Sequence, residues 1–193
     1  GAGYILIEIA LIQRFVLFLG HPTYALTVII FSMLIASGCG SYSSRRFAGL
    51  SEKRLTAVLL LVAVMVGTLA FVVTPLTEAG VGWPLWLKVT LTVLLITGPA
   101  FVMGMPFPTG LSLLELQNKS AVRWAWALNA AASVLGSVSA IFLAIYLGLR
   151  ETLLAGGVLY LLALVILRLT RPKAAVPSTS PLDIRSQAAP CKS

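Results

Sequence analysis

Glu8, Gln13 and Arg14 fall inside an otherwise apolar run, about Gly3 to Gly20, and are the first residues of this chain that could do chemistry. A carboxylate or a guanidinium at the centre of a membrane helix costs about 2.5–3.5 kcal/mol to insert, so it faces protein or a water-filled space rather than lipid. Such groups can hold a substrate cation, relay a proton, or tie helices together through a buried ion pair. Arg14 stands six residues after Glu8, roughly 600° of helical rotation, which sets the two side chains about 120° apart around the helix. They therefore address different neighbours: Glu8 one helix, and Arg14, with His21 seven residues further on, another. Asn129 is the remaining polar candidate, near the start of a later apolar run in which Ser133 and Ser137 follow at intervals of four residues.

Several chemistries are not written in this sequence. One His, two Cys and a lone Asp183 in the tail supply neither a metal ligand set nor a Ser-His-Asp arrangement. No glycine-rich phosphate loop follows a strand. We expect no metal, no cofactor and no catalysis on this chain alone. Cys39 lies in an apolar run and Cys191 in a polar tail, so no structural disulfide is expected between them. His21 precedes Pro22 and reads as a turn residue.

The elements that must position these side chains are set by composition. The 193 residues are 59% hydrophobic and only 10% charged, whereas soluble domains carry about 25% charged residues. Runs of about 20 apolar residues cross the hydrocarbon core of a bilayer, and the length accommodates six of them. The spans fall at about 3–20, 23–40, 55–75, 85–105, 124–147 and 152–169. Between the fourth and fifth, Gly98-Pro99 to Pro108-Thr109-Gly110 holds three prolines and three glycines, a composition that predicts a broken segment rather than an intact helix. An amphipathic piece, Leu111 to Asn118, follows it. The fold class is all-α: a six-helix integral membrane bundle over residues 1–173, with 174–193, rich in Ala, Pro and Ser, a disordered cytoplasmic tail.

A formal charge of +8 would suggest nucleic acid in a soluble protein. Here it reads as topology, and no nucleic-acid partner is expected. Arg45, Arg46, Lys53 and Arg54 follow the second span, Lys119 and Arg123 the fourth, and Arg168 and Arg171 the sixth, whereas the alternate connections hold only Lys88 and Arg150. Basic loops stay in the cytoplasm, so both termini are predicted there, in the inner membrane of a bacterium-like cell. Glu8 and Arg14 also interrupt the first apolar run, which speaks against a secretory signal. Asn118-Lys119-Ser120 matches a glycosylation sequon, but its loop is predicted cytoplasmic.

Small residues supply the rest of the pattern. Ala132, Gly136 and Ala140 recur every four residues beside the Asn129 stripe, and such small-xxx-small faces let helices approach closely in lipid. Ser32, Ala36 and Gly40 on the second span, and Ala63 with Gly67 on the third, repeat the pattern.

Two stretches carry a family resemblance. The first is Glu8-Ile9-Ala10-Leu11-Ile12-Gln13-Arg14, continuing to Gly20-His21-Pro22-Thr23-Tyr24-Ala25 and Ser37-Gly38-Cys39-Gly40-Ser41. The second is Phe101-Val102-Met103-Gly104-Met105-Pro106-Phe107-Pro108, continuing to Trp124-Ala125-Trp126-Ala127-Leu128-Asn129 and Ser133-Val134-Leu135-Gly136-Ser137. Together they resemble the membrane region of transmembrane spermidine synthase-like proteins, which join such helices to a soluble aminopropyltransferase-type domain. The glycine-rich loop and acidic residues of that domain are absent here, so the resemblance implies only the membrane part. It implies a non-catalytic domain or subunit that anchors or assembles with a protein partner, a synthase-like domain or a second copy, in the lipid bilayer. Gly40-Ser41-Tyr42-Ser43-Ser44-Arg45-Arg46 also looks like the basic loop of major-facilitator transporters, without its aspartate. The alternatives are accordingly a half-transporter-like module moving polyamines or another cation through Glu8, and a structural subunit of a larger membrane complex.

Overall fold

The computed structural model describes residues 1–47 and 52–169, and among them every regular element is helical. In order these are α1 (Ala2–Leu19), α2 (Pro22–Phe47), α3 (Glu52–Ala79), α4 (Leu85–Met103), α5 (Pro106–Gln117), α6 (Ala121–Tyr146) and α7 (Leu149–Leu169). Six stretches are long and apolar enough to cross a membrane, with α4 and α5 together forming one of them. The chain is a multi-pass helical membrane protein by this measure. The proposed tail 174–193 lies outside the described residues.

The breaks between helices have local causes. Gly20 takes φ 79°, and its N–H bonds the Val16 carbonyl at 3.1 Å. This left-handed C-terminal stop is open to glycine without strain. Gly148, at φ 108°, serves the same purpose between α6 and α7. Pro84 precedes α4 in extended conformation, and Pro106 opens α5, where a missing N–H costs nothing. Short connections make successive spans run in alternate directions. The start of α1, the end of α2, the beginning of α3, α5 and the end of α7 thus gather at one end of the bundle, the basic one.

α1 is the axis. It packs against α2, α6 and α7, while α2 also packs on α4 and α3 on α7. Ile7, Leu11 and Phe15 of α1 meet Ile29 and Met33 of α2, Val62 and Val66 of α3, Ile96 of α4 and Leu153 of α7 in one core cluster, each at most 1% exposed. Lipid is as apolar as these side chains, so what holds them is close contact rather than escape from water. α6 buries only Gly136 and Ala140. Its remaining large residues, such as Leu128, Leu135, Val138 and Phe142, are exposed, as a lipid-facing surface requires.

The helices reach further than hydropathy predicts. α2 continues to Phe47 and α3 begins at Glu52, so most of the expected Ser41–Arg54 loop is helix. Glu78, expected in an exit loop, lies on the last turn of α3. The Pro/Gly segment does break the helix, but over a narrower stretch than expected: Pro99 sits inside α4 and Pro108 inside α5, leaving only Gly104 and Met105 between the two helices. An apolar surrounding offers no water to satisfy freed backbone groups, so helical hydrogen bonding is kept up to the residues next to the break.

Candidate functional site

The sequence-predicted residues separate along α1 into two groups. Near the basic end, Tyr4 Oη lies 3.2 Å from Ser37 Oγ of α2, which links the two helices. Glu8 follows one turn later on the same face. It is only partly buried and makes no hydrogen bond or ion pair among the described residues. Gln13 is likewise half-buried without a hydrogen bond among them. Glu8 and Arg14 do not meet, in keeping with their angular offset.

Around this end lies a cavity of about 560 Å³. Its walls are Leu55 and Leu59 of α3, Met103, Pro106 and Phe107 at the α4–α5 elbow, Ala132 of α6, and Leu159, Ala163 and Leu167 of α7. Gly1 to Ile5 close it from the α1 side, and Asn129, Ser133 and Tyr160 supply its hydrogen-bonding groups. Asn129 stands eight residues into α6 beyond Ala121 and, with Ser133, lies against Gly1. Phe107 meets Trp126 edge to face at 4.9 Å, joining the elbow to α6.

Glycines set the distances here. A Cβ at Gly136 would stand 2.8 Å from the Ala2 Cα and 2.9 Å from its carbonyl oxygen. A Cβ at Gly156 would stand 3.2 Å from the Gly3 carbonyl oxygen and closer still to the Ile7 side chain. Of the predicted packing residues, Gly136 therefore meets α1, Ala140 is buried, and Ala132 lines the cavity. Between α2 and α4, Gly40 abuts the Phe101 carbonyl and Gly104 the Ser37 carbonyl. Gly67 has nothing within 4 Å, so that part of the small-residue pattern marks no seam.

The opposite end is charged. Arg14 Nη2 donates to Thr77 Oγ1 at 3.3 Å and to the Thr74 carbonyl at 3.5 Å, and lies 3.7 Å from Glu78 Oε1. Its Nε is buried without a partner among the described residues. A cleft of about 320 Å³ beside it is lined by Arg14, Val73, Thr74, Leu149, Arg150, Glu151 and Leu153. The Arg150 guanidinium stacks on Phe71 at 4.1 Å, and Lys88 stands 5.3 Å over Phe18. His21, at the same end, is exposed, its ring tilted against Tyr24 at 5.7 Å.

Sequence reasoning missed Tyr4, Ser37 and Tyr160 at one end and Glu78 and Arg150 at the other. Tyr4 was findable, since it precedes Glu8 by one turn. The Arg14–Glu78 pairing joins separate helices, and no local spacing signals it. Among the described residues no group of three His, Cys, Asp or Glu comes together. Set against family models, curated proteins and solved structures, the chain matches none of them.

Proposed function

We propose that the chain is a non-catalytic membrane module that anchors or assembles with a protein partner, as its resemblance to the membrane region of spermidine synthase-like proteins also suggests. One observation supports this most directly. Between the apolar cavity, which reaches Ile5, and the charged cleft, which begins at Arg14, the layer holding Ile7, Ala10 and Leu11 is filled by aliphatic side chains at most 1% exposed. Those packed side chains hold no polar path among themselves, and Tyr4 on one side and Arg14 Nη2 on the other join helices. The apolar cavity at the basic end, with its few convergent polar groups, then suits a segment of the partner.

A photo-crosslinking residue at Phe107, in the cavity wall, tests this in whole cells. It should yield one protein adduct of defined mass, while the same residue at Leu94, 71% exposed, should label lipid only. No adduct at Phe107 would remove the assembly reading. The orientation belongs to the same proposal, with both termini in the cytoplasm of a bacterial inner membrane. Cys191 should then resist an impermeant thiol reagent until the cytoplasmic face is opened.

A second reading is favoured by Glu8 itself, a carboxylate at membrane depth that makes no hydrogen bond or ion pair among the described residues. It is the residue on which a polyamine or other cation would dwell in a transport unit. Proteoliposomes that take up spermidine, with uptake lost in Glu8→Gln, would establish that reading and displace the first.

A further inference from the structure

The charged cleft has a property that helix packing leaves unused: two guanidinium groups line it, and both have donors to spare. Arg14 engages the protein through Nη2 alone, and its Nε is buried without a partner among the described residues. The Arg150 guanidinium carbon stands over Phe71, 4.1 Å from the ring centroid, and Arg150 makes no hydrogen bond or ion pair among the described residues. A ring contact of this kind uses none of the guanidinium's N–H groups, which can receive a phosphate through two parallel bonds. The cleft also includes Leu149, Arg150 and Glu151 on the first turn of α7, where the helix dipole favours an anion. The cleft lies toward one end of the candidate spans, near the ends of α1 and α3 and the beginning of α7, where headgroups would stand around a membrane-spanning bundle. Phe71, beneath Arg150, is 56% exposed, and so continues the cleft into a lipid-facing surface.

We infer that this cleft binds the phosphate of a phospholipid headgroup, with Arg14 and Arg150 as its two clamps. Glu151 lines the cleft beside Arg150, and Glu78, 71% exposed, stands 3.7 Å from Arg14. The two carboxylates offset part of the guanidinium charge and are placed to meet the ammonium of an ethanolamine headgroup.

Native mass spectrometry of the full chain in detergent reads the site directly. The probes are phosphatidylethanolamine, a diacylglycerol of the same chains, and inorganic phosphate. One phosphatidylethanolamine should be retained by the wild type and no diacylglycerol. Arg150→Gln, which breaks no protein hydrogen bond, should weaken retention roughly tenfold, the loss of a charge-assisted hydrogen bond. Lys88→Gln, at the same end but outside the cleft, should leave it unchanged. Equal retention of diacylglycerol, or retention indifferent to Arg150, overturns the site. Inorganic phosphate that binds as well as the lipid and competes with it overturns the lipid assignment, leaving a soluble anion.

Discussion

α1 is held differently at its two ends. At the basic end its backbone comes close to its neighbours: Ala2 against Gly136, Gly3 against Gly156, with one neutral link from Tyr4 to Ser37. At the other end long side chains do the reaching, Arg14 toward α3 and, beside it, Arg150 onto Phe71. The void at each end follows suit, apolar with amide and hydroxyl groups at the first, lined by guanidinium groups at the second. Close backbone approach leaves no room for added volume, whereas a long polar side chain tolerates volume but not loss of its partner. The two ends should therefore fail under opposite substitutions.

Gly136→Leu should have the largest effect. Its first added carbon already meets the Ala2 backbone at 2.8 Å, so α1 or α6 must move. Overpacking of this kind costs about 1–3 kcal/mol. Thermal unfolding in detergent should fall clearly for this variant and remain within about 0.5 kcal/mol for Gly67→Leu, at a site that meets nothing. Equal behaviour of the two would show that α6 does not rest on α1. Arg14→Leu should come next, at about 1–3 kcal/mol, because Thr77 and the Thr74 carbonyl lose a charged donor. Glu78→Gln should cost under about 1 kcal/mol, since that carboxylate is 71% exposed and 3.7 Å away. If Glu78→Gln proved as costly as Arg14→Leu, the ion pair rather than the hydroxyl and carbonyl contacts would hold this end.

The same contrast explains what could be read from sequence. Six spans are legible because each is a continuous apolar run, and the Gly136 seam because its period is regular. Gly67 repeats that period and meets nothing: small size permits close approach without requiring it. Gly40 and Gly104 pack against backbone of the other helix in a pair, α2 and α4, and a single sequence does not say which helices cross. The Pro/Gly segment was legible as a break but not in its extent: the chain breaks at Gly104 and Met105, while Pro99 lies within α4 and Pro108 within α5. The candidate site was half legible. Glu8, Arg14 and Asn129 were visible as anomalies of composition, but whether each stands at a cavity depends on where neighbouring helices begin and end.

Tyr4→Phe refines the comparison at the neutral end. It removes one hydrogen bond to Ser37 and little volume, so about 0.5–1.5 kcal/mol should be lost. Cavity walls should stay in place, and crosslinking from Phe107 should persist. Loss of the Phe107 adduct in this variant would mean that the Tyr4 hydroxyl belongs to the partner's site and not to the α1–α2 seam.

The smallest expected effect is the most discriminating, because it concerns two charges on one helix. Glu8 and Arg14 are the natural pair on paper, opposite in sign and close in sequence. In the bundle Arg14 is engaged with α3, while Glu8 makes no hydrogen bond or ion pair among the described residues. Groups without shared partners add within about 0.3–0.5 kcal/mol. A cycle of Glu8→Gln, Arg14→Gln and the double variant, followed by thermal unfolding, should therefore give coupling no larger than that. The cycle of Arg14→Gln with Thr77→Val should exceed it, since those two side chains touch. Strong coupling between Glu8 and Arg14 would mean that α1 turns relative to α3 in the membrane, and the separation of a neutral end from a charged one would no longer hold. Glu8→Gln alone should leave stability nearly unchanged, because the amide displaces no ion pair. Spermidine added to the wild type then reports on Glu8 alone, as a ligand that binds the folded state raises its melting temperature by mass action. No rise is expected from the assembly reading. A rise that vanishes in Glu8→Gln is the signature of the transport reading.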